Sequence, residues 1–77
     1  MYKDFGADSE SVSLDKAAAI AGDGHPIRLL YSTSGAWKQD VAWIVIVERT
    51  DKPGDFIGAV VSQKDGRVLY RKTKRRP

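Results

Sequence analysis

The chain has 77 residues, enough for one small domain that buries only about 60% of the surface its unfolded form exposes, and too few for a two-domain enzyme with an interdomain cleft. Hydrophobic residues make up 42% and charged residues 30%, with no cysteine, which excludes disorder along the whole length, a disulfide framework and a thiolate metal site. The net charge of +3 is unevenly spread: residues 1 to 65 hold seven bases against ten acids, a balance of −3, whereas residues 66 to 77 hold six bases and no acid.

Met1 to Glu10 shows neither helical nor alternating periodicity and is expected to be a flexible lead-in. Ser13 then stands where a side chain caps the free N–H groups of a first helical turn, with Asp15 placed to suit the helix dipole. Val12 and Ala17 have the spacing of a weak hydrophobic staple. Leu14, Ala17, Ala18 and Ala21 recur at helical spacing with Ile20 beside them, and Gly22 is expected to supply the left-handed end. So short a helix does not hold alone in water, and its alanines suit close packing on a sheet.

The rest reads as strands. Ile27 to Thr33 alternates Ile27, Leu29 and Tyr31 against Arg28, Leu30 and Ser32, followed by turn-prone Ser34-Gly35. Val41 to Arg49 is apolar on both faces, which places it centrally, and Trp43 is expected in the core. Its run Val41 to Val47 is the longest apolar stretch and far short of the roughly 20 residues that span a bilayer, and no charged-then-apolar leader opens the sequence, so a chain without membrane insertion is expected. Pro53-Gly54 suits a type II turn. Phe56 to Gln63 forms a third strand with a thin spot at Gly58-Ala59, and Asp65-Gly66 signals a two-residue hairpin into Arg67-Val-Leu-Tyr70. The expected fold is α+β: one short N-terminal helix packed on a three- to four-stranded antiparallel meander sheet. The expected layout is a lead-in over 1–10, one domain over 11–70 and a basic tail over 71–77.

Several of these residues resemble the PepSY domain family. Ser13-Leu-Asp-Lys-Ala-Ala-Ala-Ile-Ala21 is similar to its opening helix, Trp43-Ile-Val-Ile-Val47 to its Tyr-x-Val-x-Val strand, and Val61-Ser-Gln-Lys-Asp-Gly-Arg-Val-Leu69 to its closing hairpin, with Ser62 where the family has Asp. The resemblance covers roughly Val12 to Tyr70. It implies a small non-catalytic module, often outside the cytoplasm, that inhibits or regulates a peptidase. A periplasmic or extracellular place follows from it if a leader has been removed, and a cytoplasmic one otherwise.

Reacting groups are sparse. His25, the single imidazole, lies in Gly22-Asp-Gly-His-Pro26 and reads as a loop residue, since a metal needs three or four ligands and a general base needs a positioned partner. Nucleophile-elbow, phosphate-loop, dinucleotide and zinc-helix patterns are missing, and the acids are scattered, so no catalytic residue, metal or cofactor is expected.

Binding is the better expectation. Trp37, Tyr31 and Tyr70 are candidate anchors for a protein partner, with Arg67 and Arg71 at the rim. A phage-type inhibitor of a host protein fits the same description. The alternative is nucleic acid, followed by Arg71, Lys72, Lys74, Arg75 and Arg76. One helix covers one face of a sheet whose middle strands are apolar on both, so the second face calls for a cover: the N-terminal segment with Phe5, a second copy in a homodimer, or a protein partner. An exposed strand edge is a further route.

Overall fold

In the computed structural model, which describes residues 12 to 75, the Ser13 hydroxyl accepts the Lys16 backbone N–H at 3.2 Å and starts α1, Leu14–Gly22. The expected lead-in over 1–10, with Phe5, lies outside the described residues. The left-handed residue that ends α1 is Asp23, at φ 53°, and not Gly22. Gly22 lies within the last turn, and a Cβ there would stand 2.8 Å from Cγ2 of Ile27. Close approach to the first strand, rather than backbone conformation, is what demands glycine.

Four strands follow: β1 (Ile27–Trp37), β2 (Asp40–Arg49), β3 (Asp55–Ser62) and β4 (Val68–Arg75). They form one antiparallel sheet in the order β1-β2-β3-β4, a meander, and the fold is α+β as expected. Three local expectations are corrected. β1 does not turn at Ser34-Gly35 but runs on to Trp37 and reverses through Lys38-Gln39, with Lys38 at φ 58°. Ser32 to Gly35 lie against Val45 to Ala42 of the long apolar β2, and that continuous pairing overrides the turn preference of the Ser-Gly pair.

The β3–β4 connection is a five-residue loop, Gln63 to Arg67, and not a two-residue hairpin. Ser62 N–H donates to the Arg67 carbonyl at 2.8 Å and Gly66 N–H to the Ser62 carbonyl at 2.9 Å, with Gly66 alone at positive φ, 78°. Gln63 is held in line with the sheet, since its N–H donates to the Val41 carbonyl at 3.0 Å and its carbonyl accepts the Val12 N–H at 2.8 Å, so the reversal is taken up after it. The Asp65 carboxylate accepts the Arg67 backbone N–H at 2.9 Å, which holds its pKa below the usual carboxylate value.

The third correction concerns the basic run. The residues expected as a tail from 71 are strand through Arg75, paired with β3 as far as Asp55. Their backbone completes the outer ladder of β3, and the charged side chains stand exposed on either side of it. The Lys52-Pro53-Gly54-Asp55 turn matches expectation: Asp55 N–H donates to the Lys52 carbonyl at 3.0 Å and Gly54 takes φ 98°.

α1 lies on one face of this sheet. Ala17, Ala18 and Ala21 pack with Val45, Val47, Ile57, Ala59 and Val61 to make the core, joined by Val12, and half-buried Leu14, Ile20, Ile27 and Trp43 border it. Trp43, expected in the core, is half-buried at its border, and its Nε1–H donates to the Val12 carbonyl at 2.8 Å, pinning the chain where it enters the helix. Helix propensity alone says that Gly22→Ala stabilises by up to about 1 kcal/mol. The 2.8 Å approach to Ile27 reverses that sign: Gly22→Ala is expected to destabilise by about 1–3 kcal/mol, the usual cost of overpacking, read as a lowered urea midpoint.

Candidate functional site

The face opposite α1 is set by register. Odd-numbered residues of β2 and β3 point to the core, so Ala42, Ile44, Ile46 and Glu48 of β2 and Phe56, Gly58, Val60 and Ser62 of β3 point to the open face. β1 and β4 reach this face through irregularities. Between Leu29 and Tyr31 the register of β1 slips by one residue, and Leu30 is the extra one. Without that bulge Tyr31 would follow Ile27 and Leu29 to the helix side. With it, Tyr31 lies beside Ile46 and Thr33 beside Ile44 on the open face. A second slip, opposite Val60/Val61, inserts Leu69 and brings Tyr70 beside Val60.

The face therefore consists of rows that cross all four strands. One is Arg28, Glu48, Phe56 and Lys74, the next Tyr31, Ile46, Gly58 and Lys72, the next Thr33, Ile44, Val60 and Tyr70. The last of these rows is covered at its centre, over Val60, while Tyr70 itself stays 47% exposed. Trp37 from the end of β1 meets Tyr70 of β4 with ring centroids 5.5 Å apart and planes tilted by 34°. A contact between the two outer strands has to pass above β2 and β3. Beneath it Ala42 is 0% and Val60 3% exposed, although neither belongs to the core under α1. Small Ala42 and Ser62 leave room for the rings to lie close, and the two aromatics form a strap across one end of the sheet.

The middle row is not closed. Tyr31 is 53% and Ile46 40% exposed. Gly58, between Ile46 and Lys72, leaves a notch, since a Cβ there would meet only the Lys72 carbonyl oxygen at 3.9 Å. At the far end Arg28 and Glu48 are joined at 2.6 Å, and the second Glu48 oxygen accepts the Gly54 N–H at 3.0 Å.

The register divides the basic run between two faces. Arg71 and Arg75 lie on the helix side, paired with Asp23 at 3.3 Å and with Asp55 at 3.0 Å. Lys72 and Lys74 lie on the open face with Tyr31 and Tyr70. Arg71 is thus not a rim residue for the anchors proposed beside it, because strand alternation sends it to the other side. Arg67 is exposed in the β3–β4 loop, and Arg76 lies outside the described residues. Trp37, a candidate anchor in the sequence, is a half-buried strand residue whose ring packs against Tyr70.

A cleft of about 200 Å³ opens at the helix side, lined by His25, Arg49, Asp55, Arg71, Thr73 and Arg75 among others, below the roughly 300 Å³ at which small-molecule sites begin. Its three arginines are matched by acids. Arg49 also grips Asp51 through two hydrogen bonds of 3.0 and 2.6 Å, which lowers the Asp51 pKa and raises that of Arg49. His25 is an exposed loop residue, and no group of three or more His, Asp or Glu able to hold a metal occurs among the described residues. No described helix is long and apolar enough to cross a membrane.

Ile46 and Gly58 were not among the residues singled out from the sequence as anchors. Gly58 stood out as a thin spot, and the alternation of Ile57 and Ala59 places its gap on the side away from the helix. Comparisons of the chain with family models, with curated proteins and with solved structures gave no match in any of the three.

The strap has an energetic signature. Trp37→Ala and Tyr70→Ala are each expected to destabilise by about 1–3 kcal/mol, since half-buried Trp37 and exposed Tyr70 cost less than the 3–5 kcal/mol of fully buried aromatics. In a double-mutant cycle the two changes are expected to couple by about 0.5–1.5 kcal/mol, whereas additive losses would mean that the rings do not support one another.

Proposed function

We propose that this chain is a non-catalytic binding module of the PepSY-like kind, which acts by seating a protein partner on the middle of its open sheet face. The observation that carries this reading is the row Tyr31, Ile46, Gly58 and Lys72: an exposed aromatic ring and aliphatic side chain, then a notch, then a cation. Apolar surface collected on one face is what partner surfaces use, and aromatic residues are their usual anchors. The notch admits an apolar side chain of the partner, and Lys72 suits an acidic group next to it. The resemblance rests on the sequence motifs, and the order of elements, a capped helix followed by an antiparallel meander, agrees with it. A peptidase is the class of partner which that resemblance implies, and occupying an enzyme's surface requires no reacting group on this side. A phage-type inhibitor of a host protein would use the same face in the same way.

Gly58→Val separates binding from folding. An added Cβ there meets only the Lys72 carbonyl oxygen at 3.9 Å, and replacing a mid-strand glycine by a β-branched residue is expected to stabilise the strand by about 0.5–1 kcal/mol. The same change fills the notch and is expected to weaken the partner complex tenfold or more, about 1.4 kcal/mol. The measurement is titration calorimetry with a partner recovered from the source cell and purified, with Ile46→Ala as a second variant. Unchanged affinity in both variants would remove the open face as the contact.

A second reading, nucleic-acid binding, is favoured by one observation: Lys72 and Lys74 share the open face with Tyr31 and Tyr70, as cations and stacking surfaces do where single strands are held. The double change Lys72→Ala and Lys74→Ala is expected to lower the slope of log K against log salt for a labelled single-stranded oligonucleotide by about 1.4, two phosphate contacts at roughly 0.7 each. A slope that stays the same excludes these lysines from any such contact.

A further inference from the structure

We propose that the outer edge of β1 is a self-pairing edge, through which two copies of this chain join antiparallel, about a twofold axis at Ser34, into one eight-stranded sheet. This seam meets the open face at Tyr31 and Trp37 but is built from the backbone groups of the β1 edge, so the inference does not rest on the reading above.

The two edges of the sheet are built differently. β4 carries Arg71, Lys72, Lys74 and Arg75 within its eight residues, and a row of charge is a standard protection of an exposed edge against pairing with another chain. β1 is eleven residues long and holds one charge, Arg28, which Glu48 neutralises at 2.6 Å. The Leu30 bulge breaks its line near that charge, and the straight part that remains, Tyr31 to Trp37, is uncharged. Among the described residues no strand lies outside it.

Hydrogen-bond parity shows which backbone groups this edge offers. Gln63 N–H donates to the Val41 carbonyl, so the odd residues of that stretch of β2 turn their backbone groups toward β3 and the even ones toward β1. Thr50 N–H, donating to the Pro26 carbonyl, continues the even set. Tyr31, Thr33, Gly35 and Trp37, paired with even residues of β2, therefore bond inward, while Ser32, Ser34 and Ala36 present their N–H and C=O groups outward.

That pattern is self-complementary about Ser34. With Ser34 opposite the partner's Ser34 as a hydrogen-bonded pair, Ser32 meets the partner's Ala36 in another, and each outward group in this stretch finds its match. Between them fall the closer, non-hydrogen-bonded pairs: Thr33 opposite Gly35, where glycine leaves room, and Tyr31 opposite Trp37 on the open-face side, an aromatic cross-strand pair. No like charges are brought together along the seam. The two basic β4 edges go to opposite ends of the sheet, about 34 Å apart at roughly 4.8 Å per strand step and some four Debye lengths at physiological salt. Joining through β4 would instead press the cations against one another.

The test is sedimentation equilibrium of the full chain over a concentration series. The native chain is expected to approach twice its 8.5 kDa mass. Ala36→Pro removes an N–H that points away from the molecule, so it costs no ladder bond within the sheet, and is expected to remain at 8.5 kDa with an unchanged far-ultraviolet dichroism spectrum. Should that variant fail to fold, Ser34→Lys and Ser34→Asp decide. Each puts like charges across the twofold axis and is expected to be monomeric alone, while an equimolar mixture of the two regains the dimer mass. A native chain that stays at the single-chain mass throughout, a folded Ala36→Pro that dimerises like the native chain, or a mixture of the Ser34 variants no heavier than its parts would each overturn the proposal.

Discussion

Two single-residue slips in register decide which side of this sheet carries aromatic rings. Leu30 in β1 and Leu69 in β4 are the extra residues, and Tyr31 and Tyr70 come directly after them. If both strands kept strict alternation, the two tyrosines would point toward the helix side with Leu29 and Val68, and the open face would lose Trp37 as well, since it lies in phase with Tyr31. A bulge costs one unpaired residue in the ladder and sharpens the local twist. In return it changes the phase of all that follows. The strap of Trp37 over Ala42 and Val60 to Tyr70 requires both changes together, one from each outer strand.

The helix side has the opposite character, because it is filled by small residues at short range. Ala17, Ala18, Ala21 and Gly22 are all buried, and they let a nine-residue helix settle close enough to shield Val45, Val47, Ile57, Ala59 and Val61. A larger side chain at Gly22 would lift the helix off Ile27 and weaken the one layer of cover that the sheet has. Close packing under a short helix and an aromatic strap on the other face solve the same problem, the hiding of a two-sided apolar sheet, at different places along it. On the open face, the row through Ile46 and Gly58 is a stretch that neither hides.

The helix start at Ser13, the central place of Val41 to Arg49, the Pro53-Gly54 turn and the α+β order were all legible in the sequence, because each is a local preference that the tertiary fold leaves in force. Side-chain direction in β1 was not. Ile27, Leu29 and Tyr31 alternate regularly, and nothing in the residues themselves announces that Leu30 will be left out of the pairing. The true end of β1 was hidden for a related reason: Ser32-Thr-Ser-Gly35 has the composition of a turn and is held extended by an apolar neighbour strand with residues to spare. Gly22 and Gly66 show the limit from the other side. Both were recognisable as structural glycines, but only Gly66 uses its freedom in φ, while Gly22 is required by the proximity of Ile27, which no local pattern encodes.

The basic run is where strand structure changes the meaning of composition most. As a tail, five cations in a row of seven residues would act as one diffuse charge. As a strand, they are sorted by alternation: Arg71 and Arg75 meet Asp23 and Asp55 on the helix side, and Lys72 and Lys74 are left for the open face. The ion pairs are solvent-exposed and contribute little to stability. What they do is cancel the charge of Arg71 and Arg75 on the helix side, which leaves Lys72 and Lys74 as the cations that β4 adds to the open face. The same four residues also line the β4 edge and deny it to other strands, which leaves β1 as the edge open to pairing. One short sequence thus sets the charge of the open face and the direction in which the sheet can grow, and this coupling follows from the two-residue period of a strand rather than from the number of charges.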